Sequence, residues 1–283
     1  MDEGKRKKIT AVPASSGLAW VVQSLELLRA QASRLLFIAL LMQIILGLVQ
    51  VPLLGILVVL SIPGLSAGIL EAFHVAGKGA RPGMHLLFLP LASGNRRGRL
   101  FALGALIFAI GIVCISLFIG NTMSGVDEAQ LMRLQQGDME VLYEIDPLFI
   151  TRLMTAFMLS VAIGGTITFF AIPLIWFRNG RLWSSIGEGM RALIANWKSM
   201  LVLGGVLTVV FLPVSMLTGL LLQVSAAGGV ASYITTLLMM VLLLMFQLLL
   251  FGTQYCAFRQ IFPFEEPRQE VDPSSGDDSQ LVA

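Results

Sequence analysis

The chain has 283 residues, of which 56% are hydrophobic and only 13% charged, with a mean hydropathy of +0.84. Soluble domains run at about 45–50% apolar and about 25% charged, so this composition excludes an ordinary water-soluble globule. The net charge of +2 is small, and the information lies in how the charges are distributed along the chain.

Residues 1–15 carry the run Lys5-Arg6-Lys7-Lys8 and read as a disordered basic segment. The stretch after them is amphipathic rather than a short apolar core closed by a small-residue cleavage site, so a cleavable signal is not expected. Residues 16–34 place Leu18, Val21, Val22, Leu25 and Leu28 on one helical face, with Gln23, Glu26, Arg29 and Ser33 elsewhere. Trp20 stands near the start of this stretch and Arg34 at its end. Tryptophan and long cations favour the headgroup level, which predicts an interfacial helix.

A helix needs about 20 apolar residues to cross the hydrocarbon core. Six stretches qualify, at residues 35–51, 53–76, 100–120, 148–177, 199–222 and 230–258. The first two are cut from one run, Leu35 to Ala76, whose single charge is Glu71. The cut falls at Val51-Pro52, because proline lacks the N–H and disfavours helix in the residue before it. A turn there would leave almost no exposed loop.

The connections alternate in sign. Residues 77–99 carry Lys78, Arg81, Arg96, Arg97 and Arg99 and no acid. Residues 121–147 carry Asp127, Glu128, Asp138, Glu140, Glu144 and Asp146 against Arg133 alone. Residues 1–34 and 178–198 are again net basic, and residues 223–229 are uncharged. Basic loops stay in the cytoplasm, so six crossings with N- and C-termini both cytoplasmic satisfy every segment. The expected location is a bacterial cytoplasmic (inner) membrane.

A second amphipathic stretch, residues 181–197, aligns Leu182, Trp183, Ile186, Met190, Leu193, Ile194 and Trp197 opposite Ser184, Ser185, Glu188, Arg191 and Asn196. Like the first, it leads into a span, at an offset of 161–164 residues. That reads as a weak internal repeat, a feature of many transporter folds. Residues 263–283 hold Pro263, Pro267 and Pro273 among six acids and read as an acidic disordered cytoplasmic tail.

Small residues recur every four positions at Gly64, Gly68, Ala72 and Ala76 in the second span, and at Ala156, Ser160, Gly164 and Thr168 in the fourth. Such stripes let helices approach closely in lipid, which predicts central packing for both spans. Glu71 and His74, one turn apart, together with the break at Pro173, are the candidates for transport or proton coupling. A single Glu-x-x-His is only part of what a carboxylate-bridged metal bundle requires, so no metal site is expected. Lys78, Arg81, Arg96, Arg97 and Arg99 are candidates for lipid headgroups. The apolar patch Met84–Leu91 between them is too short to span, and reads as interfacial or re-entrant. Cys114 and Cys256 lie in apolar runs and read as small core residues.

Several of these features also carry a resemblance. The amphipathic Trp helix is followed by Val51-Pro52-Leu53-Leu54-Gly55 and Ile62-Pro63-Gly64-Leu65-Ser66-Ala67-Gly68. A basic loop, Leu103-Gly104, and the Ala195-Asn196-Trp197-Lys198 entry to the fifth span come after them. Together, over residues 15–260, they resemble an uncharacterised family of proteobacterial multi-pass inner-membrane proteins of unknown function. The resemblance implies location and topology, and no activity.

No phosphate-binding Gly-Lys-Ser/Thr loop, His-Glu-x-x-His or zinc-type cysteine pair occurs in the sequence, and the Gly-x-Ser-x-Gly match at Gly64-Leu65-Ser66-Ala67-Gly68 falls inside an apolar span rather than at a strand-to-helix elbow. The expectation is therefore an all-α polytopic bundle of six transmembrane helices and two interfacial amphipathic helices, with no catalytic residues and no cofactor. Its expected role is a membrane scaffold or complex subunit, with a small-molecule or lipid transporter as the alternative. Expected partners are membrane lipids and either a membrane protein or a second copy, not nucleic acid.

Overall fold

The computed structural model describes residues 9–51, 53–123, 127–136, 141, 147–226 and 229–263. The basic run at 5–8, Pro52, the acids from Asp138 to Asp146 and the tail from 264 lie outside them. The described residues form helices and turns with no strand. In chain order they are α1 (Ser16–Gly47), α2 (Leu54–Gly77), α3 (Leu89–Ala92), α4 (Gly94–Met123), α5 (Glu128–Gln135), α6 (Phe149–Arg178), α7 (Leu182–Ala195), α8 (Trp197–Ala226) and α9 (Gly229–Ile261). Short 3₁₀ turns at Leu48–Gln50 and Met84–Leu87 complete the set.

Six of these, α1, α2, α4, α6, α8 and α9, are long and apolar enough to cross a membrane. This number and length of apolar helices fits a multi-pass membrane protein. Their bounds lie within six residues of the predicted spans, except that α1 also contains the first amphipathic stretch. Between α1 and α2 the chain reverses tightly. Val51 is extended, Leu53 adopts φ +67°, and the Gly55 N–H donates to the Val51 carbonyl at 2.8 Å.

α1 is two helices joined by a kink. Gln31 leaves helical geometry at φ −137°, ψ 32°. Ser24 Oγ donates to the Leu249 carbonyl, while Gln43 Nε2 donates to Gln247 Oε1. A straight helix would separate Ser24 from Gln43 by about 28 Å, yet both reach α9 within two residues of each other. The bend at Gln31 therefore divides amphipathic stretch from span, close to the boundary expected at 34/35. The second stretch, α7, breaks from α8 at Asn196 with similar angles, φ −116°, ψ 26°. The two breaks are 165 residues apart, near the sequence offset.

The spans pack as two groups of three. α4 lies along α6 and against α2; α1 lies along α9, which packs on α8. α2 is the most enclosed span and α8 the least. The groups are joined most closely at the end carrying the basic connections, where Trp20, Phe73, Phe170, Phe258 and Phe262 are all fully buried. Towards the other end the helices present apolar side chains outward, as at Leu117, Met216 and Tyr233. The acidic connection holds one described helix, α5. A reciprocal capping box starts it: Gln130 N–H donates to Asp127 Oδ1 at 2.7 Å, and Asp127 N–H to Gln130 Oε1 at 3.1 Å.

Candidate functional site at the basic end

The ionisable candidates of α2 sit one turn from its basic terminus, where the two groups of spans meet. Glu71 is half-buried and accepts a 2.7 Å hydrogen bond from Trp176 Nε1 of α6. The Arg96 guanidinium covers the same indole ring, 5.1 Å from its centroid. Arg96 thus communicates with Glu71 through tryptophan, a cation on one side of the ring system and a carboxylate at its N–H. His74 turns elsewhere. Its Nδ1 and the Tyr255 hydroxyl of α9 share a 3.1 Å hydrogen bond, and its ring lies 5.3 Å from that of Phe177. Although one turn apart and both against α6, Glu71 and His74 hydrogen-bond different partners on different helices, Trp176 of α6 and Tyr255 of α9.

Pro173 lies buried in α6. A proline removes the N–H that would bond the carbonyl four residues earlier, here that of Phe169. Gln254 of α9 fills that vacancy, donating from Nε2 to the Phe169 carbonyl at 2.7 Å. The break is therefore a joint between the two groups of spans. Phe169, Phe170, Phe177, Phe258 and Phe262 surround it with edge and stacked ring contacts.

The small-residue stripes are filled from within the chain. A side chain at Gly68 would meet the backbone of Leu87 and Leu86, and one at Gly64 would meet the Leu91 side chain. The apolar patch of the basic connection thus lies against α2, with Leu86, Leu87 and Pro90 buried and Met84, Phe88 and Leu89 exposed. Ala72 and Ala76 are buried further along the same helix. On α6, Ala156 is fully buried and Gly164 lies against Ile107 of α4. Ser160 Oγ approaches Gly111 of the same helix.

The cations divide by task. Arg99 Nη1 donates to the carbonyls of Asn179 and Gly180 and to Asn179 Oδ1, at 2.7–3.0 Å. It caps the C-terminus of α6, where Asn179 takes the left-handed conformation. Lys78, Arg81 and Arg97 are exposed. On α7 the buried side is made of small residues, Ser185, Gly189 and Ala192, and Trp183 and Ile194 point outward with Trp197, whose ring lies 5.8 Å from Lys198 Nζ. The first amphipathic stretch differs. Its predicted apolar face is split, with Val21 and Leu28 buried and Leu18, Val22 and Leu25 exposed. Trp20, off that face, is fully buried and donates from Nε1 to Gln260 Oε1 at 2.5 Å.

Residues 9–15, taken from composition as disordered, are held in place. Val12 N–H donates to Asn196 Oδ1 at 2.8 Å, and Asn196 Nδ2 donates to the carbonyls of Thr10 and Ala192. Ser199 Oγ bonds the carbonyls of Val12 and Pro13, and Thr10 N–H bonds the Ile261 carbonyl at 3.0 Å.

Sequence reasoning did not single out Trp176, Gln254, Tyr255, Arg259 or the Gln43–Gln247 pair. A usable signal existed for the glutamines, since an amide inside an apolar run must find a partner. Finally, the chain matches no family model, no curated protein and no solved structure. The resemblance to a proteobacterial family rests on the residues quoted for it.

Proposed function

We propose that the chain is a non-catalytic scaffold or complex subunit of a bacterial cytoplasmic membrane, with its basic end in the cytoplasm. The supporting observation is that the groups best suited to a transport path are spent on one another. Glu71 is held by Trp176, His74 by Tyr255, and the carbonyl released by Pro173 by Gln254. The stripes that would form a sliding seam are occupied by Leu87, Leu91 and Ile107. Arrangements of this kind fix helices relative to one another; they do not offer polar atoms to a passing solute.

The test is proton flux in proteoliposomes holding a pH-sensitive dye, driven by a potassium diffusion potential. The expected result is a flux equal to that of protein-free vesicles, unchanged by Glu71→Gln. A protein-dependent flux abolished by Glu71→Gln would overturn the scaffold reading in favour of a transporter. In cells, a photoreactive residue replacing Met216, which is exposed on α8, is expected to give adducts of discrete mass with a protein partner or a second copy.

A further inference from the structure

At the basic end, α1 and α9 diverge around an open groove of about 590 Å³, within the usual range of about 300–1,000 Å³ for small-molecule sites. One wall is the face of α1 bearing Gln23, Glu26 and Leu27, residues that share a face by their i, i+3, i+4 spacing. The other is the face of α9 bearing Tyr255, Arg259 and Gln260. Several of these groups are already fixed. Gln260 Oε1 is engaged by Trp20, and the Tyr255 hydroxyl meets His74 and lies near the Arg259 guanidinium. Glu26 and Arg259 are both exposed, on opposite walls, and among the described residues no ion pair joins them. Opposite charges facing each other across a groove without pairing are complementary to a ligand that carries both.

We propose that this groove binds an ammonium–phosphate zwitterion, the chemistry of a phosphoethanolamine headgroup. The Arg259 guanidinium takes the phosphate, for which its fork of donors is suited, and the Glu26 carboxylate accepts hydrogen bonds from the ammonium. Gln23 supplies an amide beside them. The groove lies at the basic terminus of the apolar spans α1 and α9, the level at which lipid headgroups stand. Leu27 gives an acyl chain or glycerol backbone an apolar wall. The proposal is independent of whether the protein is a scaffold or a transporter.

The test uses the full-length protein, purified in detergent and stripped of lipid, titrated calorimetrically with short-chain phosphatidylethanolamine, the matching phosphatidylglycerol, and glycerophosphoethanolamine. Short-chain phosphatidylethanolamine is expected to bind at least about tenfold more tightly than phosphatidylglycerol, about 1.4 kcal/mol. Glu26→Gln should remove that preference, whereas Arg259→Gln should weaken both lipids. Both substitutions fall on exposed side chains, and an unchanged thermal midpoint confirms that they leave the fold intact. If glycerophosphoethanolamine binds as tightly as the lipid, the ligand is a soluble zwitterion; if chains are required, it is a lipid of the adjacent leaflet. Either result upholds the site. Equal binding of the two lipids by the unaltered protein would overturn it, as would unchanged binding in the double variant.

Discussion

Asn196 shows how much one polar side chain carries in an apolar protein. It is almost fully buried and sits at the break between α7 and α8, with one amide accepting from Val12 and donating to Thr10 and Ala192. Leaving a buried donor unpaired costs about 1–3 kcal/mol. Asn196→Ala is therefore expected to lower the thermal midpoint by several degrees and to open the Ile9–Ser15 segment to limited proteolysis. Ser199→Ala, which still leaves the Asn196 bonds in place, should do less. Cys114 and Cys256 are both buried, so a thiol-reactive dye reads unfolding without added probes. Unchanged cleavage in Asn196→Ala would mean that the bonds to Ser199 and Ile261 suffice to hold the segment.

Among the elements, α2 is the one whose surroundings matter most. A methyl at Gly68 would stand 2.6 Å from Leu87 Cα and 2.8 Å from the Leu86 carbonyl oxygen, both backbone atoms that cannot rotate away. At Gly64 the obstacle is the end of the Leu91 side chain, which can move, and at Gly165 on α6 nothing lies within 4 Å. The expected order of destabilisation is Gly68→Ala above Gly64→Ala above Gly165→Ala. The first should cost about 1–3 kcal/mol through overpacking, and the last close to nothing. Equal midpoints for Gly68→Ala and Gly165→Ala would show that Met84–Leu91 does not rest on α2. The helices themselves were legible because a span is written in hydropathy and length. The four-residue spacing of small residues also marked α2 as a packing surface. It did not reveal that a loop, rather than a span, lies against that surface, since the pattern records room and not its occupant. The Gln254–Phe169 joint was illegible for a related reason: the proline and the amide that satisfies its carbonyl are separated by 81 positions. Trp20 illustrates the same gap: its residue type read as headgroup-level, whereas a partner 240 positions away on α9 holds it buried.

For the whole molecule, sidedness follows from charge. If the basic end faces the cytoplasm, the end bearing α5 faces outward. In a background lacking Cys114 and Cys256, single cysteines at exposed Asn95 and exposed Gln136 report the two ends. A membrane-impermeant thiol reagent added to intact cells is expected to label Gln136→Cys and to spare Asn95→Cys. The reverse pattern would invert the orientation, and labelling of both would mean that α4 does not cross the membrane.

The seat of the Ile9–Ser15 segment is assembled from the far end of the chain, at Asn196, Ser199 and Ile261. Ribosomes extend a chain at about 5–20 residues per second, so Ile261 is added on the order of 10–50 s after Thr10. For that interval the seat of Ile9–Ser15 is incomplete, and Trp20 has no Gln260. Insertion of this protein is consequently a closed circuit: a segment made before every span settles only after α9 has followed, and its docking marks the arrival of that helix.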